Sequence, residues 1–258
     1  MKTLVTILIL IPFVVNEAYS EEIFITLMTE FEKMTFDGKW TSKLEWKGTS
    51  ETIVFDENAK LVIRTGHDYE NLFVLINSVS DESLDRISDR GIVCIDSKND
   101  GGNHPKKDDY CFIISVGSDQ PITLQGGHFL AQTGFYKKIS NHPDLRAVGG
   151  SSDDRDRYSK TPHTSYEFKI PLEIFGKSDI YGFYVGAFDA SNGLTNGWPR
   201  EAQEDNYPFI PTPDKWGKLI SPDKSIPEFE LPFLIFASTF MIIFIPRFFG
   251  WRYFKIKT

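Results

Sequence analysis

The chain has 258 residues, with 36 acidic against 28 basic side chains and a net charge of −8. A surface of that sign repels phosphate backbones, which excludes nucleic acid as a natural partner. Two cysteines and five scattered histidines, with no Cys-x-x-Cys and no His-Glu-x-x-His, exclude the common zinc and dithiol redox motifs.

Lys2 is followed by an apolar run over residues 4–15 and by Ala18-Tyr19-Ser20, whose small first and third residues suit a signal peptidase. Residues 1–20 therefore read as a secretory signal and Glu21 as the mature start. Of the charged residues, one acid and five bases lie outside 21–230, so the exported part carries −12. Residues 21–34 mix Ile23, Phe24, Ile25, Leu27 and Phe31 with acids and read as a lead-in strand or a short helix.

Asp37-Gly38 marks a turn between Phe36 and Trp40, and Trp46 reads as a core plug near a strand start. Strand character then recurs at 52–55, 60–65, 71–79, 91–96, 110–116, 121–125, 129–137, 165–170 and 181–188. Tyr166, Phe168 and Ile170 alternate with Glu167 and Lys169, the period of two that a half-buried strand requires. No amphipathic helix of ten or more residues intervenes. The fold class expected is all-β, an antiparallel β-sandwich of the jelly-roll or immunoglobulin-like kind, occupying 21–220 as one domain.

The runs at 91–96 and 110–116 flank a polar segment holding Gly101, Gly102 and Pro105, and read as a hairpin with a long exposed loop. Each run carries one cysteine, so pairing of the strands lets Cys94 and Cys111 face one another. In an exported domain that predicts a structural disulfide. Asp96, Asp100 and Asp109 gather carboxylates at the same loop and are candidate ligands for a structural calcium ion, without the one-three-five spacing of an EF-hand.

Two longer loops follow. Residues 142–162, with the charge run Asp153-Asp154-Arg155-Asp156-Arg157, read as a polar, solvated loop. Residues 191–214 hold Trp198 and several prolines, with Trp216 just beyond, and are either pinned onto the sandwich or offered to a ligand. No Gly-x-Ser-x-Gly is present and both cysteines sit inside strands, so no enzyme is expected.

Sugars stack their C–H faces on aromatic rings while charged and amide groups bond the hydroxyls. Candidate platforms are Trp198, Trp216, Tyr69 and Tyr136, and candidate polar partners are Arg64, His67, Asn192 and Asn196.

After a linker at 221–230, residues 231–246 form an uncharged apolar stretch that Phe248, Phe249 and Trp251 extend to 251, with the basic residues Arg247, Arg252, Lys255 and Lys257 after its uncharged core. This reads as a transmembrane helix with a cytoplasmic basic tail at 252–258, leaving the domain on the extracellular face of the cell membrane. The chain lacks any Asn-x-Ser/Thr sequon, and an archaeal or bacterial surface protein is the expected source.

The order of Phe36-Asp37-Gly38-Lys39 leading to Glu45-Trp46, residues 71–76 ending near Asp81, 89–96, Tyr166-Glu167-Phe168-Lys169-Ile170-Pro171, Tyr181-Gly182-Phe183 to Asp189, and Lys215-Trp216-Gly217-Lys218-Leu219 resembles the family 9 carbohydrate-binding module and its DOMON-like relatives. The resemblance spans 36–220. It implies a β-sandwich that binds carbohydrate or a cell-envelope glycan between two tryptophans, with Trp198, Asn192 and Asn196 on the ligand face and structural calcium in some members. No tryptophan stands between Trp46 and Trp198 to supply the second ring, and Tyr69 or Tyr136 would take its place. Relatives in the same superfamily bind haem through Met with His or Lys, which makes a haem or redox domain one alternative.

A structural or interaction protein of the cell envelope, the same sandwich without a sugar site, is the other alternative. It predicts that Trp198 and Trp216 are buried. Ile226-Pro227-Glu228-Phe229 before the apolar run is similar to Pro-Glu-Phe sorting signals, which implies a sortase-like processing enzyme as a partner.

Overall fold

A computed structural model describes residues 21–28, 34–42, 44–55, 60–129, 135–202, 204, 206 and 208–222. The expected signal at 1–20, the transmembrane stretch at 231–251 and the basic tail lie outside the described residues, as does most of the linker. Among the described residues no helix is long and apolar enough to cross a membrane.

The strands in chain order are β1 (Glu22–Phe24), β2 (Thr26–Leu27), β3 (Ser50–Phe55), β4 (Lys60–His67), β5 (Asn71–Ser78), β6 (Arg90–Asp96) and β7 (Asp109–Ser115). They continue with β8 (Ile122–Gln125), β9 (Lys137–Ile139), β10 (Arg146–Ser151), β11 (Thr164–Pro171), β12 (Ile180–Asp189), β13 (Leu194–Trp198) and β14 (Gly217–Ile220). They form two sheets. One runs β1-β14-β12-β6-β7-β8-β9, with β13 also on β12; the other runs β10-β11-β5-β4-β2, with β3 also on β4. The sandwich is therefore as expected, and mostly antiparallel. The lead-in segment departs from that rule, because β1 pairs parallel with β14 and β2 parallel with β4, so one short stretch laces both sheets together.

The main core lies between the sheets. Leu61, Ile63, Leu72, Val74, Ile76, Tyr166, Phe168 and Ile170 from one sheet meet Val93, Ile95, Phe112, Ile114, Phe183 and Val185 from the other. Burying each such side chain is worth about 1.5–3 kcal/mol. Unusually for an antiparallel sandwich, the outer faces are covered as well. Trp46, Phe73, Leu75 and Met28 pack outside the second sheet, and Cys94, Cys111, Ile92, Tyr184 and Trp216 pack outside the first. This explains why β5 reads as a continuous apolar run: every one of its residues is buried.

Cys94 and Cys111 are directly opposite across β6 and β7 and form the expected disulfide, on the covered outer face rather than between the sheets. Two expectations need correction. Residues 142–162 are not all loop, since β10 pairs along β11 from Arg146 to Ser151. Sequence hid this strand because Gly149 and Gly150 read as punctuation. Here they let backbones approach: a Cβ on Gly149 would lie 2.3 Å from the Ser115 carbonyl oxygen. Of the strand expected over 129–137, residues 130–134 lie outside the described residues, and the ladder with β8 starts at Lys137 and runs to Ile139.

Candidate functional site

The loop after Phe36 lies over the outer face of the second sheet and is fastened from beneath. Gly38 adopts φ +85°, and a Cβ there would meet Gly150 N at 2.7 Å, so only glycine fits. The backbone N–H groups of Asp37 and Gly38 donate to Glu167 Oε2 at 2.9 and 2.8 Å, and Trp46 Nε1 donates to Oε1 at 3.0 Å. Glu167 is fully buried. Burial pushes its carboxyl up to about 8, outweighing the three hydrogen bonds that pull the other way. A second buried acid, Glu45, accepts from Thr41 N and Ser42 N, each at 2.9 Å.

These anchors present Trp40, whose Nε1 donates to the Ser42 carbonyl. The Arg64 Cζ lies 4.8 Å and the Arg157 Cζ 5.1 Å from the Trp40 ring centroid, within cation–π range. Tyr158 sits 6.2 Å away with its ring tilted by 56°. Its hydroxyl donates to Glu51 Oε2 at 2.5 Å, and the same oxygen pairs with Arg64 Nη2 at 3.3 Å. Burial and the Glu51 contact together hold the Tyr158 phenol far above its ordinary range. Arg64 alternates with Leu61 and Ile63 along β4, so it points outward. It is only 6 % exposed, and burial lowers its pKa.

Beside Trp40 opens a cleft of about 630 Å³, walled by Thr41, Ser42, Leu44, Lys47, Arg155 and Arg157 as well as the ring itself. The arrangement offers an aromatic wall, hydroxyls and a set of cationic donors.

The eight residues expected to bind ligand are not brought together. Trp198 is a core side chain, 3 % exposed, with its ring 5.9 Å from Phe183, so it offers no stacking face. Trp216 is also buried and donates through Nε1 to the Pro211 carbonyl at 3.0 Å. Asn192 donates to Asp189 Oδ2 at 2.7 Å and so shapes the turn between β12 and β13. Asn196 pairs with Ala187 in the ladder. Tyr69 is half exposed at a turn with φ +70°, its ring 5.4 Å from the buried His67. Tyr136 lines a smaller cleft of about 340 Å³ on the other sheet, with Asn206, Pro208 and Thr212 of the late loop. Only Arg64 stands at the Trp40 site. Trp40, Arg155 and Arg157 were missed as ligand residues. Their signal was a tryptophan two residues after an Asp-Gly turn, and a charge run whose solvated reading hid Arg157 on that ring and Arg155 on the cleft beside it.

The expected calcium ligands are placed differently as well. Asp96, Asp100 and Asp108 bring carboxylate oxygens within 4.8 Å of one another. Asp109 instead accepts from Lys106 N at 2.5 Å, and burial raises its carboxyl to about 7. Asp100 is already paired with Lys106 Nζ at 2.7 Å, and Asp96 accepts from Lys98 N and Gly101 N, so these acids build the loop. A second group, Asp81, Asp89 and Asp189, is fully buried and takes hydrogen bonds from Ser83, Thr164, Ala190 and Ser191. Burial foremost, with their mutual repulsion, raises Asp81 to about 6.

One constellation mimics a hydrolytic triad. Ser152 Oγ lies 2.8 Å from His163 Nδ1, and His163 Nε2 lies 3.9 Å from Asp156 Oδ1. All three are at most 5 % exposed, and Ser152 Oγ accepts from His163 N. A nucleophile sealed from substrate and engaged by backbone is a structural group.

No family model and no curated protein matches the chain. Among solved structures, a carbohydrate-binding module of family 9 from Caldicellulosiruptor kristjanssonii in complex with cellotriose superposes with a TM-score of 0.49 at 13 % identity, covering 80 % of this chain and 98 % of that one. The same kind of module from that organism in complex with glucose gives a TM-score of 0.49 at 13 % identity, covering 78 % and 95 %.

Proposed function

We propose that this chain is a non-catalytic, carbohydrate-binding-module-like β-sandwich, exported and tethered to the outer face of a cell membrane, and that its ligand site is the cleft beside Trp40. The observation that carries the site is the Trp40 wall itself. The loop that carries this indole is fastened through its backbone by Glu167 and Glu45, beside an open cleft of about 630 Å³ lined with hydroxyls and arginines. An aromatic face with directed polar groups is the chemistry that binds sugars. The export and anchoring rest on the sequence of the two ends.

The test is a glycan array and calorimetry on the purified chain and on Trp40→Ala. Trp40 lies partly exposed at the cleft. Its removal should abolish sugar binding and leave the far-ultraviolet circular dichroism unchanged. Absence of any glycan ligand, or binding indifferent to Trp40→Ala, would overturn the site.

A second reading has its own support. Burial of both Trp198 and Trp216 is what a structural or interaction protein of the cell envelope, built on the same sandwich, requires at the late loop. That reading predicts no sugar affinity at either cleft, and the same array distinguishes it.

A further inference from the structure

Resting on the sugar-binding reading of the Trp40 cleft, we propose that its ligand is an anionic glycan, one bearing carboxylate or sulfate groups. The chain as a whole is acidic, at −8, yet Lys47, Arg155 and Arg157 all line this one cleft and Arg64 lies against its aromatic wall. Charge of the opposite sign to the rest of the molecule, gathered in a cleft, selects what enters it.

The donors there are uncommitted. Among the described residues the side chains of Lys47, Arg155 and Arg157 make no hydrogen bond and no ion pair, and Arg157 only faces the Trp40 and Tyr158 rings. Arg64, though 6 % exposed, has Nε and Nη1 without a hydrogen-bond partner among the described residues. Arg64 is not part of the cleft lining, so it backs the Trp40 ring and adds positive charge behind the wall, while Lys47, Arg155 and Arg157 are the groups a ligand would meet.

The acceptors around the ring, in contrast, are taken. Glu51 Oε2 serves both Arg64 and Tyr158. Glu45 serves the Thr41 and Ser42 amides, and Glu167 serves Asp37, Gly38 and Trp46. Asp37 takes the Lys39 amide and the Thr41 hydroxyl, and Asp153 pairs with Lys39. A neutral sugar presents hydroxyls that must both donate and accept, and calls for carboxylates or amides as well as cations. A cleft whose free charged groups are all donors matches a ligand that only accepts. Carboxylate and sulfate do so, and the planar fork of arginine binds either through two parallel bonds.

The experiment is calorimetry of the full chain with three probes: tetragalacturonate for carboxylate, a heparin-derived tetrasaccharide for sulfate, and cellotetraose as the neutral control. One or both acidic probes should bind roughly tenfold or more tighter than the neutral one. Raising salt from about 50 to about 500 mM should weaken that binding, because partly exposed ion pairs are screened. The double variant Arg155→Ala/Arg157→Ala, which touches only exposed loop positions, should lose affinity for the acidic probe by roughly tenfold or more at unchanged melting temperature.

Neutral cellotetraose binding as tightly as the acidic probes would overturn the anionic assignment and leave the sugar-binding reading standing. Acidic binding that ignores both salt and the double variant would also overturn it. Free sulfate ion competing as strongly as the oligosaccharide would reduce the cleft to a simple anion site and overturn the glycan. If no saccharide binds, both readings fall together.

Discussion

Replacing Glu167 by Gln removes the titratable group of β11 that holds the backbone of the Trp40 loop against the sheet. In the folded chain its carboxyl is raised to about 8 from 4.5, mainly by burial. The unfolded chain gives up that proton near pH 4.5 and the folded chain holds it to about 8. Between those values the native state binds more protons, so stability falls as pH rises, by up to about 1.4 kcal/mol per pH unit. Over the whole window the loss approaches about 5 kcal/mol.

The amide in Glu167→Gln does not titrate, so that slope should vanish from the variant. The variant carries its own cost, because the hydroxyl oxygen of the protonated acid can still accept a hydrogen bond and an amide nitrogen cannot. With the oxygen kept toward Asp37 and Gly38, the amide nitrogen meets Trp46 Nε1, donor against donor, at the 3.0 Å now bridged by a hydrogen bond. That mismatch costs about 1–3 kcal/mol. Urea denaturation of both proteins at pH 5, 7 and 9 reads the difference directly. Asp81 and Asp109, also raised by burial, titrate identically in both and cancel. The variant should be the less stable at pH 5, and the gap should close or reverse by pH 9. A gap constant across that range would refute the reasoning.

The disulfide and the late-loop tryptophan give two further tests. The Cys94–Cys111 bond spans a sequence separation of 17, so Cys94→Ala/Cys111→Ala should lose about 3 kcal/mol in urea denaturation through the freed entropy of the unfolded loop. Both sulfurs are buried, so reductant should act on the native chain only at the rate at which it opens, seen by timed thiol labelling. Trp198→Ala should cost about 3–5 kcal/mol by opening a cavity beside Phe183, seen as a fall in melting temperature. Trp40→Ala, at a partly exposed position, should leave that temperature nearly unchanged.

The sandwich was legible because its strands carry their own marks. Tyr166, Phe168 and Ile170 alternate with Glu167 and Lys169, and the two apolar runs with one cysteine each come out as β6 and β7, with Cys94 opposite Cys111. A strand pattern is local, and so is a hairpin, which is why short windows of sequence reveal them. β10 escaped notice for the converse reason. Gly149 and Gly150 are strand residues only because Ser115, Gly38 and β11 come close to their backbone, and nothing within the segment announces those neighbours.

The binding residues follow the same division. A partly exposed aromatic and a buried one are the same letter, and the ligand-facing role expected of Trp198 falls in the structure to Trp40, for which no role was expected. Trp198 ends in the sheet-facing core, while Trp40 is raised on a loop whose anchor, Glu167, lies more than a hundred residues away. The amino-acid sequence by itself determined an all-β domain with a disulfide and an acidic surface, because alternation, cysteine placement and charge act locally or by sum. The tertiary structure alone decided that Arg64, Arg155 and Arg157 converge near one indole while Glu45, Glu51 and Glu167 beside it are already bonded. Which donors remain free depends on neighbours that only folding brings within hydrogen-bonding distance.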